Sequence, residues 1–168
     1  MSTPWVCIVM GSDSDAEVMS HAADALDELG VPFHMLVTSA HRSPERTKRI
    51  IEEGDADGAA VFIAGAGAAA HLPGVVASFT TKPVIGVPLQ SGSLLGLDAL
   101  LAIAQMPAGV PVATVAIGAA GATNAGILAA QILAVGDSAL ADRIRSRRKA
   151  MAGGVESKSK RVERSTRK

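Results

Sequence analysis

Five short, largely apolar runs, separated by segments with helical spacing, limit what this chain can fold into. The first run, Trp5–Met10, is rich in β-branched residues and ends at a glycine. The other four lie at residues 31–37, 59–64, 83–87 and 112–117. Because most of these runs are continuous rather than alternating with polar residues, they predict parallel strands that are covered on both faces. The chain is therefore expected to form an α/β fold, with three layers around a five-stranded parallel sheet.

The segments between these strands have apolar residues at helical spacing, with Gly30 as a stop signal and Pro44 as a start signal. Helices are expected at residues 15–29, 44–51, 71–78, 97–104 and 124–135, and a last one at residues 138–150. The length of 168 residues suits a single domain, which we place at residues 1–152. Residues 153–168 have a linker-like composition and are expected to form a basic, disordered tail.

The formal net charge of zero conceals a division of charge along the chain. Residues 1–142 carry 5 Lys or Arg against 14 Asp or Glu, whereas residues 143–168 carry 11 against 2. A basic terminus can bind nucleic acid or anionic membranes, but it can also be a solvated helix end without a partner. We favour the solvated helix end here. Aromatic residues are 2% of the chain, too few to build a surface that stacks nucleic-acid bases.

Prolines and polar residues interrupt every apolar stretch before it reaches the roughly 20 residues of a membrane span. We therefore expect neither a membrane nor nucleic acid as a partner. Residues 58–136 nevertheless carry very few charges, even where they predict helices. A helix without a charged face is normally buried all round. A chain this short has little else to bury these helices, so a second copy of the chain is expected to cover them. A homo-oligomer is therefore expected.

The single cysteine, Cys7, lies within the first apolar run. This position indicates a buried free thiol in a reducing compartment. The sequence does not begin with a basic leader followed by a long apolar stretch, which is the pattern of a secretory signal. A cytoplasmic protein is expected.

The first candidate site is the polar segment at residues 11–15, which follows the first strand and opens the first helix. Free backbone N–H groups at such a helix start suit a phosphate, and the hydroxyls of Ser12 and Ser14 add donors. Asp15 is better suited to the hydroxyls of a ribose, because a carboxylate repels a phosphate. An alternative is that Ser14 or Asp15 only caps the helix.

The second candidate site, residues 39–44, follows the second strand and so lies at the same edge of the sheet. Ser39 and Arg42 offer a hydroxyl and a planar guanidinium, which binds phosphate or carboxylate. His41 lies beside this fixed cation and is a candidate general acid and base. An ordinary surface histidine is the alternative interpretation.

The third candidate site is a loop of small residues at residues 65–74, after the third strand, which includes Gly67 and His71. Its backbone can approach a planar ligand closely. The loop matches GxGxxA, but it follows the wrong strand, and no acidic residue lies about 20 positions further on, so dinucleotide binding is rejected. The sequence has no Cys/His cluster with metal spacing, no GxxxxGK[ST] loop and no GxSxG turn. The chemistry is expected to run without a metal or other cofactor.

Five segments together resemble the N5-carboxyaminoimidazole ribonucleotide mutase family, PurE, of bacterial class I. They are GSDSD, SAHRSP, AGAGAAAHLPG, PVIGVP and QMPAGVPVATVAIG, in this order. The resemblance covers roughly residues 5–150. It implies a flavodoxin-like homo-octamer that acts in de novo purine biosynthesis. The implied reaction moves a carboxylate from the exocyclic nitrogen of a ribonucleotide to carbon 4 of its imidazole ring.

The resemblance also implies roles for individual residues. His41 matches the catalytic histidine, and it would act first as a general acid and then as a general base. Substrate-binding roles are implied for the ribose-phosphate loop, the residues that flank it and the small-residue loop over the base, which are Ser12, Ser14, Asp15, Ser39, Arg42, Gly67 and His71. For His71, a structural role within its own loop is an equal alternative.

Two other functions remain open from the sequence. Aminoimidazole ribonucleotide carboxylases, which use carbon dioxide directly, are similar but typically have Lys-Gly where this chain has Arg42 and Ser43. This difference favours the mutase. A nucleotide-binding module without catalysis is the third possibility, because many flavodoxin-like domains only bind their ligand.

Overall fold

A computed structural model describes residues 3–164. Five strands form one parallel sheet: β1 (Trp5–Met10), β2 (Phe33–Val37), β3 (Ala59–Gly67), β4 (Val84–Leu89) and β5 (Ala113–Thr114). Their order across the sheet is β2-β1-β3-β4-β5. This is the strand order of flavodoxin-like folds, so the predicted α/β class and the five-stranded parallel sheet are confirmed.

Helices cover both faces of the sheet. They are α1 (Ala16–Glu28), α2 (Pro44–Ala56), α3 (Leu72–Phe79), α4 (Leu97–Ala104), α5 (Ala119–Leu133) and α6 (Ser138–Val162). One core contains buried residues of α1, α5 and α6, and the other contains buried residues of α2, α3 and α4. The molecule therefore has the three layers that the sequence predicted.

The continuous apolar pattern of β1 follows from its place inside the sheet. Val6 and Ile8 point into the core beneath α1 and α5, whereas Cys7 and Val9 point into the core beneath α2 and α3. All four side chains are fully buried. A strand with helices on both faces has no position left for a polar side chain.

The last strand is shorter than predicted, because regular pairing with β4 ends at Thr114. The chain continues beside β4 through two isolated backbone bonds, from Val115 N to Gly86 O and from Gly118 N to Pro88 O. Pro88 has no N–H group to offer in return, and β5 lies at the edge of the sheet. A regular ladder is therefore not sustained.

The last helix is longer than predicted, since α6 continues through the boundary at residue 153 to Val162. Residues 153–162 are therefore helical, whereas the sequence predicted a disordered tail at residues 153–168. Residues 165–168 lie outside the described residues. The physical reason is local. The segment has no proline, it is rich in Lys and Arg, which favour helices, and Asp137 caps its start through Leu140 N at 3.0 Å. Within residues 3–164, none of these helices combines the length and apolar character that crossing a membrane requires.

Candidate active site

A cleft of about 460 Å³ opens at the edge of the sheet where the parallel strands end. Its walls come from the loops that follow β1, β2, β3 and β4. Ligands of open parallel sheets bind at this edge, because all the strands direct their following loops there. The predicted site residues that line it are Ser12, Ser14, Asp15, Ser39, His41, Arg42 and Gly67.

The loop after β1 is held by its own side chains. Ser12 caps a short 3-10 turn over Asp13–Asp15, with Ser14 N donating to its Oγ at 3.3 Å. Asp15 Oδ2 in turn accepts from Ser12 N at 3.1 Å. The predicted alternative, a cap by Ser14 or Asp15 on the first helix, differs from the structure: Asp15 stands at the N-cap of α1 without a side-chain cap bond, and Ser12 caps the turn before it. Because these groups also line the cleft, capping and ligand binding are compatible.

Asp15 is half-buried, and burial raises the pKa of its carboxyl group above the ordinary value. The Ser12 backbone hydrogen bond lowers this pKa, the neighbouring Asp13 charge raises it, and the Arg42 charge lowers it. Burial therefore makes ionisation of Asp15 costly. A ligand that donates hydrogen bonds to the carboxylate, as ribose hydroxyls do, would offset this cost.

Arg42 joins the loop after β2 to the loop after β1. Its Nη2 donates to the Gly11 carbonyl oxygen at 2.8 Å, and its Nε donates to Ser39 Oγ at 3.3 Å. No carboxylate of the described chain forms an ion pair with Arg42. Its positive charge at the cleft therefore remains available for an anionic ligand.

His41 and His71 meet although 30 residues separate them in sequence. His41 Nε2 and His71 Nδ1 are 2.8 Å apart, and the two rings are almost perpendicular, at 86°. At this distance one proton lies between the two nitrogens, so one ring donates while the other accepts. The pair is therefore arranged to hold and to pass a proton at the rim of the cleft.

His71 lies beside the cleft rather than in its wall. It stands at the N-cap position of α3 and borders a second cavity of about 320 Å³, together with Gly74, Val75 and Met106. Its link to the cleft is the contact with His41.

The small-residue loop lets two strand ends approach closely. A Cβ atom on Gly67 would lie 2.9 Å from Ser91 Cβ and 3.2 Å from the Leu89 carbonyl oxygen, so only glycine fits without a shift. Ala68 adopts a φ of 50°, which is uncommon outside glycine. The loop leaves a nonpolar wall in the cleft, formed by Ala66, Ala69 and Leu72.

Sequence reasoning missed Gln90 and Ser91, which also line the cleft. The predicted fourth strand ended at Val87, whereas β4 continues to Leu89. Polar residues directly after a parallel strand were the signal that identified the first two sites, and the same signal at the true end of β4 points to these residues. Within residues 3–164, no group of three or more His, Cys, Asp or Glu side chains is placed to hold a metal ion.

Comparison with known proteins agrees with the resemblance in sequence. A family model described as AIR carboxylase matches residues 5–153. The N5-carboxyaminoimidazole ribonucleotide mutase of Bacillus subtilis is 58% identical over 145 residues, which cover 86% of this chain and 90% of that protein. The protein of the same name from Escherichia coli K12 is 52% identical over 150 residues, 89% of each chain.

A solved structure is similar over nearly the whole chain. The crystal structure of Treponema denticola PurE superposes with a TM-score of 0.87 at 30% identity, and the match covers 96% of this chain and 99% of that one. The family match and the relatives span most of both chains, and the fold agrees with them. This chain therefore belongs to the AIR carboxylase family.

Proposed function

We propose that this chain is an N5-carboxyaminoimidazole ribonucleotide mutase, an isomerase of de novo purine biosynthesis. It converts N5-carboxyaminoimidazole ribonucleotide to 4-carboxy-5-aminoimidazole ribonucleotide. The observation that carries the proposal is that one cleft combines groups suited to a ribose phosphate with His41 at its rim. The relatives that share this name match most of the chain.

The phosphate and ribose of the substrate would bind where the loops after β1 and β2 meet. Hydroxyls of Ser12, Ser14 and Ser39 line this part of the cleft, and Arg42 contributes a positive charge. These groups suit a phosphate dianion. The carboxylate of Asp15 suits the ribose hydroxyls. This arrangement directs the imidazole ring of the substrate towards His41 and the Gly67 loop.

The reaction requires one proton to be given and one to be taken. Protonated His41 donates to the exocyclic nitrogen as the carbon–nitrogen bond breaks, and the carboxylate leaves as carbon dioxide. Carbon 4 of the electron-rich ring then forms a bond with the carbon dioxide. His41, now neutral, removes the proton from carbon 4, so that the residue returns to its starting state. No external proton is consumed.

Two features of the site support this sequence of steps. The nonpolar wall of Ala66, Ala69 and Leu72 offers carbon dioxide a place away from water. The hydrogen bond between His41 Nε2 and His71 Nδ1 fixes the orientation of the catalytic ring. His71 thus contributes to the site through His41, and Gly67 contributes by keeping the loop close to the ring of the substrate.

The deciding experiment follows the ultraviolet absorbance of the carbon-carboxylated product. Purified protein is given N5-carboxyaminoimidazole ribonucleotide without bicarbonate, and, in parallel, aminoimidazole ribonucleotide with bicarbonate. Turnover of the first substrate supports the mutase. Product from the second mixture alone would identify a direct carboxylase, and no product from either mixture would favour a binding module.

We also propose that the chain assembles with copies of itself, as the family resemblance to a homo-octamer implies. Four leucines between residues 94 and 101 are more than half exposed, namely Leu94, Leu95, Leu97 and Leu101. Leu97 and Leu101 are one turn apart on α4 and share a face. Exposed apolar side chains concentrated in this way are typical of a protein interface.

We also propose a cytoplasmic location. Burial raises the pKa of the Cys7 thiol to about 12, so the thiol stays protonated and unreactive. A buried free cysteine of this kind suits a reducing compartment.

A further inference from the structure

Thr38 and Thr47 are buried polar side chains behind the proposed catalytic loop, with exposures of 2% and 0%. Thr38 directly follows β2, Thr47 lies near the start of α2, and neither lines the cleft. Their Oγ1 atoms are 2.8 Å apart, which makes a hydrogen bond. Hydroxyls in an apolar interior need such partners, and a satisfied pair fixes one arrangement of the groups around it.

The pair begins a path of hydrogen bonds through the loop that carries His41. Thr47 Oγ1 donates to the Ser43 carbonyl oxygen at 3.2 Å. Ser43 Oγ donates to the Ser39 carbonyl oxygen at 3.1 Å and accepts from Ser39 N at 3.3 Å. The path therefore closes the loop on both sides of His41 without touching its ring.

The single proton of each hydroxyl sets the direction of this path. Because Thr47 Oγ1 donates to Ser43, Thr38 Oγ1 must donate to Thr47. The backbone of Thr38 is anchored in turn, since its N–H donates to the Met10 carbonyl oxygen at the end of β1, at 2.8 Å. Thr47 is thus the residue through which the helix, the loop and the sheet are joined.

His41 depends on this loop for its position. Its ring is exposed, and within residues 3–164 its side chain makes one hydrogen bond, to His71. Arg42 has an independent anchor in the Gly11 carbonyl oxygen, at 2.8 Å. Ser43 stands at the N-cap of α2, yet its hydroxyl bonds within the loop and not to the helix.

We propose that Thr47 is a positioning residue for the reaction, acting with Thr38 to set the loop from which His41 reaches the substrate. This inference rests on the proposed function. Neither threonine touches the substrate. Loss of the Thr47 hydroxyl leaves the Ser43 carbonyl oxygen with only the backbone bond from Thr47 N, at 3.0 Å, and loosens the loop, so that His41 is less often in its reactive position.

The test compares three single variants. Thr47→Val keeps the shape and removes the hydroxyl, and we expect kcat to fall by about tenfold or more, since small displacements of a catalytic group are costly. KM should rise less, because Arg42 keeps its own anchor. Thr47→Ser keeps the hydroxyl and should restore kcat to within about twofold. Thr114→Val is the matched control, since the buried Thr114 hydroxyl has no partner within the described residues, and it should leave kcat unchanged.

A double variant separates positioning from stability. Thr38→Val with Thr47→Val removes both hydroxyls and leaves no buried group unpaired, so the melting temperature should recover relative to Thr47→Val alone. We expect kcat to remain low, because the bond to Ser43 is still absent. Recovery of kcat together with the melting temperature would assign the pair a structural role only. Wild-type kcat and KM in folded Thr47→Val would also overturn the inference.

A second measurement does not depend on the substrate. Imidazole resonances of the four histidines are compared by nuclear magnetic resonance. We expect those of His41 and His71 to shift in Thr47→Val but not in Thr47→Ser, with His21 and His34 unchanged. If wild-type protein fails to convert N5-carboxyaminoimidazole ribonucleotide, the proposed function fails, and these spectra still decide the positioning role. Unchanged His41 resonances in Thr47→Val would refute it.

Discussion

At the scale of residues, the chemistry of the site depends on one histidine whose ring meets a second histidine. His41 is asked to give a proton to nitrogen and to take one from carbon. The 2.8 Å contact between His41 Nε2 and His71 Nδ1 fixes the orientation of the His41 ring at the cleft. Turnover is therefore expected to be more sensitive to substitution of His41 than to substitution of any one serine hydroxyl that binds the phosphate.

Substitution of His41 is therefore expected to affect turnover more than binding. His41→Asn retains a hydrogen-bonding side chain but cannot exchange a proton, so we expect kcat to fall by about 10²- to 10⁴-fold. Substrate binding, measured by calorimetry, should change little because the side chains proposed to bind the phosphate are unchanged. His21→Asn on α1, outside the cleft, is the control. Full turnover by His41→Asn would remove His41 from the mechanism.

Asp15 links substrate binding to the dependence of stability on pH. Burial raises its pKa in the folded chain, so the folded state keeps the proton to a higher pH than the unfolded state does. Its contribution to stability is full below the ordinary pKa, near pH 4, and declines as pH rises through the folded pKa. Asp15→Asn should remove this decline and make stability less dependent on pH above about pH 4.

The same variant should weaken binding of the substrate. An amide oxygen still accepts from Ser12 N, but it binds ribose hydroxyls less tightly than a carboxylate does. We expect KM to rise about fivefold, the value of one modest hydrogen bond.

The pH dependence of stability is measured by urea unfolding of Asp15→Asn and wild type from pH 4 to 7, with Asp24→Asn on the exposed face of α1 as the control. Equal pH slopes for wild type and Asp15→Asn would contradict the assignment.

At the scale of elements, helix α5 lies so close to α1 that one position admits no side chain. A Cβ atom on Gly126 would lie 2.5 Å from the Ala22 carbonyl oxygen and 3.0 Å from Ala25 Cβ. Backbone atoms cannot move aside as a flexible side chain can. The sequence showed only that α5 is rich in small residues; the approach of the two helices gives the reason.

Gly126→Ala should destabilise the protein in spite of the higher helix propensity of alanine. Overpacking at a helix crossing costs about 1–3 kcal/mol, which exceeds the gain of about 1 kcal/mol from replacing a helical glycine. Gly154→Ala is the matched control, because a Cβ atom there meets nothing within 4 Å in α6. It should stabilise the protein slightly. Thermal unfolding measures the stability of both variants. Equal stabilisation by Gly126→Ala and Gly154→Ala would show that α1 and α5 leave room for a side chain at position 126.

At the scale of the whole molecule, the basic and acidic parts of the chain meet where α6 returns to the body. Arg143 Nε donates to the Leu29 carbonyl oxygen at 2.8 Å, and Arg147 Nε donates to Glu28 Oε2 at 2.9 Å. Leu140 and Ile144 enter the core on the same helix. The start of α6 is thus part of the domain, whereas its later residues are exposed.

The exposed leucines of the region 94–101 give the prediction at this scale. Leu97→Glu with Leu101→Glu places two charges on one face of α4, where the side chains are 53% and 52% exposed. Burial of these charges in an interface would be costly, so we expect light scattering to report a smaller assembly. Val135→Glu, an isolated side chain that is 91% exposed, should leave the assembly unchanged. A wild-type mass for the double variant would exclude this face from the interface.

The sequence by itself determined the strands, their parallel arrangement and most of the cleft. Local periodicity identifies the strands, and parallel strands bring their following loops to one edge, so Ser12, Ser39 and Gly67 were predicted without coordinates. Tertiary structure decided the contacts between distant segments. The approach of His41 to His71 and of Thr38 to Thr47 depends on how loops and helices pack on the sheet. No local pattern records that packing, because each partner alone resembles an ordinary polar residue.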